Sequence, residues 1–261
     1  MELTPISIDV EKYPAKFRAV LQDAKVFDSS CSPQAKVIFI DKDGGYFLKT
    51  SEKGFLEREV LLTKYFHGKG LSTGVLEYVS EEADWMLTEK IQGDDCVVLK
   101  YLGQPEQLCD TLAELLSQLH SMDYADCPIK NHSQLFFEGM EKGYSTGLFD
   151  KQMGEENWGG YSRNSIYKVA RSGLHLLQND TLLHGDFCLP NIILDNWRFS
   201  GYIDLDTAGV GDRHIDVFWA LWTLNFNLKT NKYRQRFIDA YGRGNIDDER
   251  LRIVSACEVF G

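Results

Sequence analysis

Three polar side chains that could bind a cation and move a proton lie within one short stretch of the sequence. The segment LLHGDFCLPNIILDNWRFSGYIDLDTAG, residues 182–209, carries Asp186, Asn191 and Asp204 among many apolar and aromatic residues. A carboxylate is costly to bury unless it is paired or bound to a metal. The acids in this segment therefore either cap turns on the surface or hold a positively charged group.

The order of residues in this segment predicts a β-hairpin that brings two oxygen ligands together. NIILDNWRFSGYID is typical of a strand, a turn at Asp195 and Asn196, and a second strand. The hairpin would place the Asn191 amide and the Asp204 carboxylate side by side, and such oxygen ligands suit Mg²⁺. Asp186 precedes the first strand and is expected to point into the same pocket, where its carboxylate could accept a hydroxyl proton.

This combination matches the needs of phosphoryl transfer, in which the protein supplies positioning and charge neutralisation rather than covalent chemistry. An aspartate, four further residues, an asparagine and a later metal-binding aspartate form the protein-kinase pattern. Here the leading tripeptide is His184-Gly185-Asp186.

The elements before this segment indicate two different parts of the chain. AKVIFID and GYFLKTS predict a hairpin, LEREVLLTKYFHGKG a helix, and GVLEYVSEEADWMLTEKI two more strands. The first ninety or so residues therefore predict a small antiparallel sheet with one inserted helix.

The later part of the chain is mainly helical. QPEQLCDTLAELLSQLHSM has a clear amphipathic pattern, and DVFWALWTLNFNL and NKYRQRFIDAYG also predict helices. We place the boundary between Thr88 and Gly93, which gives an α+β chain with lobes at residues 1–90 and 91–261. A cleft between lobes is a favoured place for a ligand.

At this point the sequence resembles a known family, the aminoglycoside 3'-phosphotransferases, which are kinase-like antibiotic phosphotransferases. Besides LLHGDFCLPNIIL, FSGYIDL and GVGDRHIDVF, the segments SPQAKV, FLKT, DWMLTEKIQG, SQLHSMD and DCPI are similar to that family's and occur in the same order. The resemblance covers almost the whole chain. It implies a protein-kinase-like bilobal fold and an enzyme that uses ATP and Mg²⁺ to phosphorylate an aminoglycoside, at the 3' hydroxyl.

The resemblance also implies roles for single residues. Asp186 is similar to the catalytic aspartate that orients or deprotonates the drug hydroxyl, and Asn191 and Asp204 to the Mg²⁺ ligands. Lys49, on the strand YFLK, is similar to the lysine that grips the α- and β-phosphates, and Glu59 to its ion-pair partner.

Further roles concern the nucleotide and the catalytic loop. Ser32, in SCSPQ, stands where the family's loop covers the phosphates, and this loop has no Gly-x-Gly-x-x-Gly. Thr88 and Lys90 are expected to meet adenine through backbone groups. His184 is expected to brace the catalytic loop, and Asp216 to hydrogen-bond its backbone from a helix start.

The acceptor side departs from the family. Carboxylates are expected to bind the cationic aminosugar by charge-assisted hydrogen bonds, and the candidates are Glu155, Glu156, Asp206 and Glu258. We expect Glu155 and Glu156 to lie in a loop. Asp206 stands where the family usually has glycine, and it could instead be solvated or add negative potential near the metal.

Three further departures concern the drug range. Thr207 stands where an arginine is common, and Trp222 and Thr223 stand where an Arg-Asp pair is expected. The last residues, SACEVFG, differ from a family ending of two acids followed by two apolar residues. These differences leave the ATP chemistry intact and bear on which acceptors are used.

The net charge and the composition limit the kinds of partner that the protein is expected to bind. The net charge of −11 disfavours nucleic acid and anionic membranes and favours a cationic small molecule or a metal–nucleotide complex. The sequence has no apolar run of transmembrane length, and since its first residues lack a basic start and an apolar run, we expect no signal peptide. Six scattered cysteines without metal-finger spacing indicate reduced thiols and a cytoplasmic protein. We expect a monomer or weak dimer.

Two other functions remain open from the sequence. The chain could be another small-molecule kinase of the same fold, acting on choline or a sugar amine. It could also be a non-catalytic nucleotide-binding module, although Lys49, Asp186, Asn191 and Asp204 are all present, and a decayed kinase usually loses at least one such residue.

Overall fold

The computed structural model describes residues 3–31 and 34–261. The chain divides into two compact units, of which the first runs to Val98 and also takes in Pro190–Thr207. The second consists of Leu99–Leu189 and Ala208–Gly261. The sequence did not indicate that the hairpin segment around residue 195 groups with the N-terminal part of the chain.

The strands belong to three antiparallel sheets. The first unit holds a six-stranded sheet in the order β1-β2-β3-β4-β6-β5 and a three-stranded sheet in the order β10-β9-β7, and the second unit holds the pair β11-β8. The strands are β1 Thr4–Ile6, β2 Lys25–Asp28, β3 Lys36–Asp41, β4 Tyr46–Glu52, β5 Val75–Ser80, β6 Ala83–Glu89, β7 Asp94–Asp95, β8 Thr181–Leu183, β9 Ile192–Asp195, β10 Arg198–Tyr202 and β11 Gly209–Gly211.

The helices lie mainly in the second unit, as the sequence predicted. They are α1 Ala15–Leu21, α2 Glu57–Gly68, α3 Leu99–Leu102, α4 Pro105–His120, α5 His132–Thr146, α6 Lys151–Trp158, α7 Arg163–Gly173, α8 His214–Leu228, α9 Arg234–Tyr241 and α10 Asp248–Glu258. In the described part of the chain, none of them is long and apolar enough to cross a membrane.

The six-stranded sheet contains the predicted hairpin of β3 and β4 and the predicted strands β5 and β6. The predicted helix α2 lies between β4 and β5 in the chain. The expectation of a single helix in this part of the chain was wrong, because α1 packs on the sheet as well. Phe17 of α1 is fully buried together with Ile40 and Leu48. A helix of seven residues spans only about two turns, too few for its apolar period to stand out in the sequence.

The hairpin of β9 and β10 confirms the predicted strands and shifts the predicted turn by one residue. Asp195 ends β9, and the turn residues are Asn196 and Trp197, with φ of 49° and 68°. Two consecutive positive φ values are typical of the tight turns that join hairpin strands. Ile192 pairs with Tyr202, so the residues that follow and precede these two strands meet at one end of the hairpin.

In the second unit, α4 buries its apolar face as its sequence pattern predicts. α8 is buried on most sides. The segment after α10 is buried too: Phe260 is fully buried, with its ring 5.5 Å from Tyr144 and 5.8 Å from Phe149. The backbone N–H of Asp150 donates to the Val259 carbonyl at 2.8 Å.

Gly143 lets α5 approach this segment closely. A Cβ atom at residue 143 would lie 1.7 Å from the Phe260 carbonyl oxygen, which is backbone and cannot easily move. We predict that Gly143→Ala lowers the free energy of unfolding by about 1–3 kcal/mol, as overpacking does, measured by urea denaturation. Gly139→Ala is the matched control, because the same helix has nothing within 4 Å of a Cβ there. It should leave stability equal or higher, and equal losses in both variants would contradict the role of Gly143.

Candidate active site

Lys49 on β4 forms the centre of an ion-pair group in the first unit. Its ammonium lies 2.8 Å from the Glu59 carboxylate on α2 and 2.6 Å from the Asp204 carboxylate. The predicted pair of Lys49 and Glu59 is therefore present, and the third partner is the carboxylate that we predicted to bind a metal. The Lys49 side chain is 17% exposed and that of Glu59 only 4%. The pair of Lys49 and Glu59 is thus shielded from water, whereas the Asp204 side chain is 48% exposed.

The pKa shifts in this group follow from burial and charge. Burial alone would lower the pKa of Lys49, but the charges of Glu59 and Asp204 outweigh it and raise this pKa. Burial raises the pKa of Glu59 to about 7, against the opposing effect of Lys49. Asp206 adds to this rise, so its carboxylate contributes negative potential around the ion-pair group.

Asn191 and Asp204 lie at the end of the hairpin, as the sequence predicted. The Ile203 N–H donates to the Asn191 carbonyl at 3.0 Å, which ties the residue before Asp204 to Asn191. Asp204 has φ of 60° and a side chain that is 48% exposed, whereas Asn191 is buried. An amide and a carboxylate oxygen fit Mg²⁺, which takes few protein ligands when phosphates supply the others. Within the described residues, no group of three His, Cys, Asp or Glu side chains could hold a metal ion by itself.

In the second unit, one buried carboxylate fixes the loop that carries Asp186. Asp216, at the start of α8, accepts the backbone N–H of His184 at 2.8 Å and that of Gly185 at 2.7 Å. This confirms the predicted contact of Asp216 with the loop backbone. Gly185 has φ of 88°, a left-handed conformation that glycine adopts without strain. The Asp186 N–H in turn approaches Nδ1 of the buried His184 at 3.3 Å, so this histidine braces the loop as predicted.

Two further residues, which the sequence did not indicate, hold Asp216 in place. Nε2 of His120 on α4 lies 3.1 Å from the Asp216 carboxylate, and Nδ1 lies 2.7 Å from the Tyr241 hydroxyl. Burial lowers the pKa of His120. Burial would raise the pKa of Asp216, but the hydrogen bonds and charges around it prevail and lower it. The carboxylate is therefore ionised and acts as the acceptor that the loop needs.

The other side of the loop is fixed by α8. The Thr223 hydroxyl accepts the Leu189 N–H at 3.1 Å, and its side chain also bonds Cys188. Burial raises the pKa of the Cys188 thiol, with a further rise from the charge of Asp186. Cys188 is thus a buried thiol that fills space beside the loop. An isolated threonine in an apolar helix gives no signal of this role in the sequence.

Glu258 is the acidic residue that the fold brings to Asp186. It is 8% exposed at the end of α10, and the Trp219 indole donates a hydrogen bond to its carboxyl group. Burial raises the pKa of Glu258 well above its usual range, and the charge of Asp186 raises it further. Glu258 is therefore the predicted acceptor carboxylate in the second unit whose pKa the charge of Asp186 affects.

The expectation that Glu155 and Glu156 lie in a loop was wrong. Both are on α6, capped at its start by the Asp150 carboxylate, which accepts the Met153 N–H at 2.8 Å. Glu155 is exposed, and Glu156 accepts a hydrogen bond from Gln152 at 2.9 Å. The sequence KQMGEENW contains a glycine and an asparagine that hide the short helix from its pattern.

Three further residues were predicted to contact the nucleotide. Thr88 lies inside β6, paired with Phe47 and Val75. Lys90 follows the end of β6, and its N–H donates to the Gly45 carbonyl at 2.9 Å. Ser32 lies outside the described residues.

Comparison with known proteins identifies the family of this chain. Residues 23–254 match the model of the phosphotransferase enzyme family. A probable aminoglycoside 3'-phosphotransferase of Lactococcus lactis subsp. lactis (strain IL1403) is 49% identical over 260 residues, which is 99% of either chain. An aminoglycoside 3'-phosphotransferase of Niallia circulans is 26% identical over 207 residues, 78% of either chain.

Solved structures with the same fold are also aminoglycoside phosphotransferases. One from Streptomyces rimosus, in complex with ADP and streptomycin, has a TM-score of 0.72 at 18% identity and covers 86% of this chain and 90% of its own. An aminoglycoside 3'-phosphotransferase of type VIII has a TM-score of 0.72 at 20% identity and covers 99% and 94%. The fold is thus that of a kinase-like phosphotransferase, as predicted. Since the family model matches most of the sequence, this chain belongs to the phosphotransferase enzyme family.

We predict that Asp216→Asn loosens the catalytic loop. The Asp216 carboxylate has two acceptor oxygens, whereas an asparagine amide has only one. At least one buried donor therefore loses its partner, which costs about 1–3 kcal/mol of stability. The expected result is a lower urea midpoint together with at least a tenfold loss of kcat, since the loop geometry carries the chemistry. Asp195→Asn, at the exposed end of β9, is the control that should change neither quantity. An Asp216→Asn variant with normal kcat would refute the role of this carboxylate.

We predict that Glu258→Gln changes how stability depends on pH. The folded-state pKa of Glu258 is raised, so its stabilising contribution is present below the unfolded-state pKa, near its ordinary value of 4.5, and is lost as pH rises towards the folded-state pKa. The variant should therefore have a higher urea midpoint than the wild type near pH 8 and an equal midpoint near pH 4. Midpoints that differ by the same amount at both pH values would show that Glu258 does not titrate in this way.

Proposed function

We propose that the protein transfers the γ-phosphoryl group of ATP to the 3'-hydroxyl of an aminoglycoside, and so confers resistance to it. The observation that carries this proposal is the match over 99% of the chain, at 49% identity, to a protein named as a probable aminoglycoside 3'-phosphotransferase. The ion-pair group of the first unit and the loop of the second supply residues for each part of that reaction.

The nucleotide half of the proposal rests on the first unit. Lys49 would bind the α- and β-phosphates, and Glu59 would keep its ammonium in position, as their separation of 2.8 Å supports. Asn191 and Asp204 would hold Mg²⁺, which supplies charge neutralisation for the phosphates when it is bound. Because Lys49 is bonded to Asp204, the same carboxylate would be shared between the lysine and the metal ion.

The acceptor half rests on the second unit. The Asp186 carboxylate would accept the hydrogen bond of the 3'-hydroxyl and take its proton as the hydroxyl oxygen bonds to the γ-phosphorus. The bond from that phosphorus to the bridging oxygen breaks, and ADP leaves with the electron pair. Glu258, beside Asp186, would bind an ammonium group of the drug. Glu155 and Glu156 on α6 and Asp206 in the first unit are the further carboxylates proposed to attract the cationic drug.

The setting of the reaction is part of the proposal. No disulfide joins the six cysteines, all of which lie in the described part of the chain. Thiols of this kind are typical of a reducing compartment, so we propose that the enzyme acts in the cytoplasm.

We predict that Asp186→Ala abolishes turnover while ATP still binds. Loss of a general base costs about 10²–10⁴-fold in rate, and the nucleotide residues of the first unit are untouched. The measurement is ADP release coupled to NADH oxidation, with ATP affinity followed by calorimetry. Asp195→Ala is the matched control, since this carboxylate lies at the exposed end of β9. A variant that retains more than a few per cent of the wild-type rate would disprove the role of Asp186.

The same assay tests the substrate class. ADP release should occur with kanamycin and neomycin and not with choline or simple amino sugars. Release with choline alone would indicate another small-molecule kinase, and an absence of release with every acceptor would indicate a nucleotide-binding module.

A further inference from the structure

A buried carboxylate in the first unit lies against the start of α2. Asp84 belongs to β6, and none of its surface is exposed. Its Oδ2 atom accepts the backbone N–H of Leu56 at 2.9 Å, and the Gly54 N–H bonds to the same carboxylate. No step of the proposed reaction uses Asp84, so its burial calls for another reason.

α2 needs an acceptor from elsewhere in the chain, because its own N-cap cannot supply one. The first N–H groups of a helix have no partner within the helix, and a Ser, Thr, Asp or Asn side chain at the N-cap usually accepts one of them. In α2 the N-cap is Leu56, whose side chain makes no such bond. Asp84, 28 residues further along the chain, takes over this role.

The Asp84 carboxylate is ionised in spite of its burial. Burial would raise the pKa of Asp84, but hydrogen bonds from Ser80 and from the backbone of Gly54 and Leu56 outweigh it and lower this pKa. A charged acceptor holds backbone N–H groups more strongly than a neutral one, and a negative charge is favourable at the positive end of a helix. Asp84 is therefore a strong anchor for the first turn of α2.

The register of the sheet places this anchor on the same face as Lys49. β4 and β6 pair Lys49 directly with Met86, and Asp84 precedes Met86 by two residues. Opposed residues of antiparallel strands share a face, and so do residues two apart on one strand. Leu56 and Val60 of α2 form a buried cluster with Met86, so α2 packs on this face.

Glu59, which pairs with Lys49, lies in the first turn of α2, at the end that Asp84 holds. The other end of the helix is held by different contacts. There the Leu71 carbonyl, beyond the last turn, accepts the Tyr202 N–H at 2.8 Å. The contacts of Asp84 are thus the ones that bear on the position of the Glu59 carboxylate.

We propose that Asp84 is a positioning residue for the ion-pair group: by holding the first turn of α2, it places the Glu59 carboxylate against the Lys49 ammonium. The inference rests on the proposed function in one respect, because Lys49 is the residue proposed to bind the phosphates of ATP. Asp84 acts through Glu59. Removing Asp84 should therefore weaken nucleotide binding only while Glu59 is present.

A double-mutant cycle tests this dependence, with ATP affinity measured by calorimetry in the absence of an acceptor. Asp84→Ala should weaken ATP binding about tenfold in the wild-type background and less than about twofold in the Glu59→Gln background. Equal losses in both backgrounds would overturn the proposal, since a carboxylate that only stabilises the fold acts independently of Glu59.

Two further variants make this test specific. Glu82→Ala is the matched control, because Glu82 is an exposed acid two residues before Asp84, and it should leave ATP affinity unchanged. Asp84→Asn keeps one acceptor oxygen, so its affinity should lie between those of the wild type and Asp84→Ala. If Asp84→Ala does not fold, Asp84→Asn completes the cycle, with the same criterion of equal losses.

A second measurement needs no nucleotide. The rate at which acetic anhydride modifies Lys49 is followed by mass spectrometry, with the exposed Lys53 as internal reference. Loss of a paired carboxylate favours the reactive neutral amine, so Asp84→Ala and Glu59→Gln should each speed the modification at least about threefold. The double variant should react no faster than Glu59→Gln alone. An unchanged rate at Lys49 in Asp84→Ala would also overturn the proposal.

The two measurements separate this inference from the proposed function. If the wild type binds no ATP but the rates at Lys49 follow the expected pattern, the proposed function fails and the positioning role of Asp84 stands. If the wild type phosphorylates kanamycin but the effects of Asp84→Ala and Glu59→Gln are independent, the proposed function stands and the positioning role fails.

Discussion

The Asp216 carboxylate is the interaction on which the geometry of the second unit depends. It is fully buried, yet it remains ionised because two backbone N–H groups and the His120 ring donate to it. An isolated buried carboxylate would be strongly unfavourable, so the loop and the carboxylate stabilise each other. The loop bearing Asp186 can take this shape only when α4 and α8 are packed. Catalytic geometry and the hydrophobic core of these helices are therefore a single cooperative unit.

The surroundings of buried carboxyl groups differ between the two units. In the first unit, the Lys49 ammonium lies between the carboxyl groups of Glu59 and Asp204 and opposes the effect of burial on the pKa of Glu59. In the second unit, burial and the negative charges of Asp186 and Asp216 raise the pKa of Glu258 and favour its protonated form. An arriving ammonium group would supply the missing counter-charge. In the reaction proposed above, the ion pair of the first unit would serve the nucleotide, and the buried acid of the second would recognise the cationic acceptor.

Local patterns in the sequence predicted the elements that hold the nucleotide residues. The hairpin of β9 and β10 was predicted because alternating apolar residues flank a turn, and it brought Asn191 and Asp204 together as expected. The family, its fold and the enzyme class were predicted from motifs in a fixed order. The contacts of His120 and Thr223 could not be predicted, because a polar residue within an apolar helical face gives no sign of its distant partner. α6 was missed for a different reason, since its weak helical propensity is compensated by tertiary packing and a capping aspartate.

The two faces of α8 have a consequence for how such an enzyme can change over time. The face with Asp216 and Thr223 is bound to the catalytic loop, so nearly any substitution there also alters the chemistry. The face with Trp222 and Asn225 borders a cavity and is turned away from Asp216 and Thr223. Substitutions on the cavity side of α8 are therefore expected to disturb the loop less than substitutions on the side that bonds it.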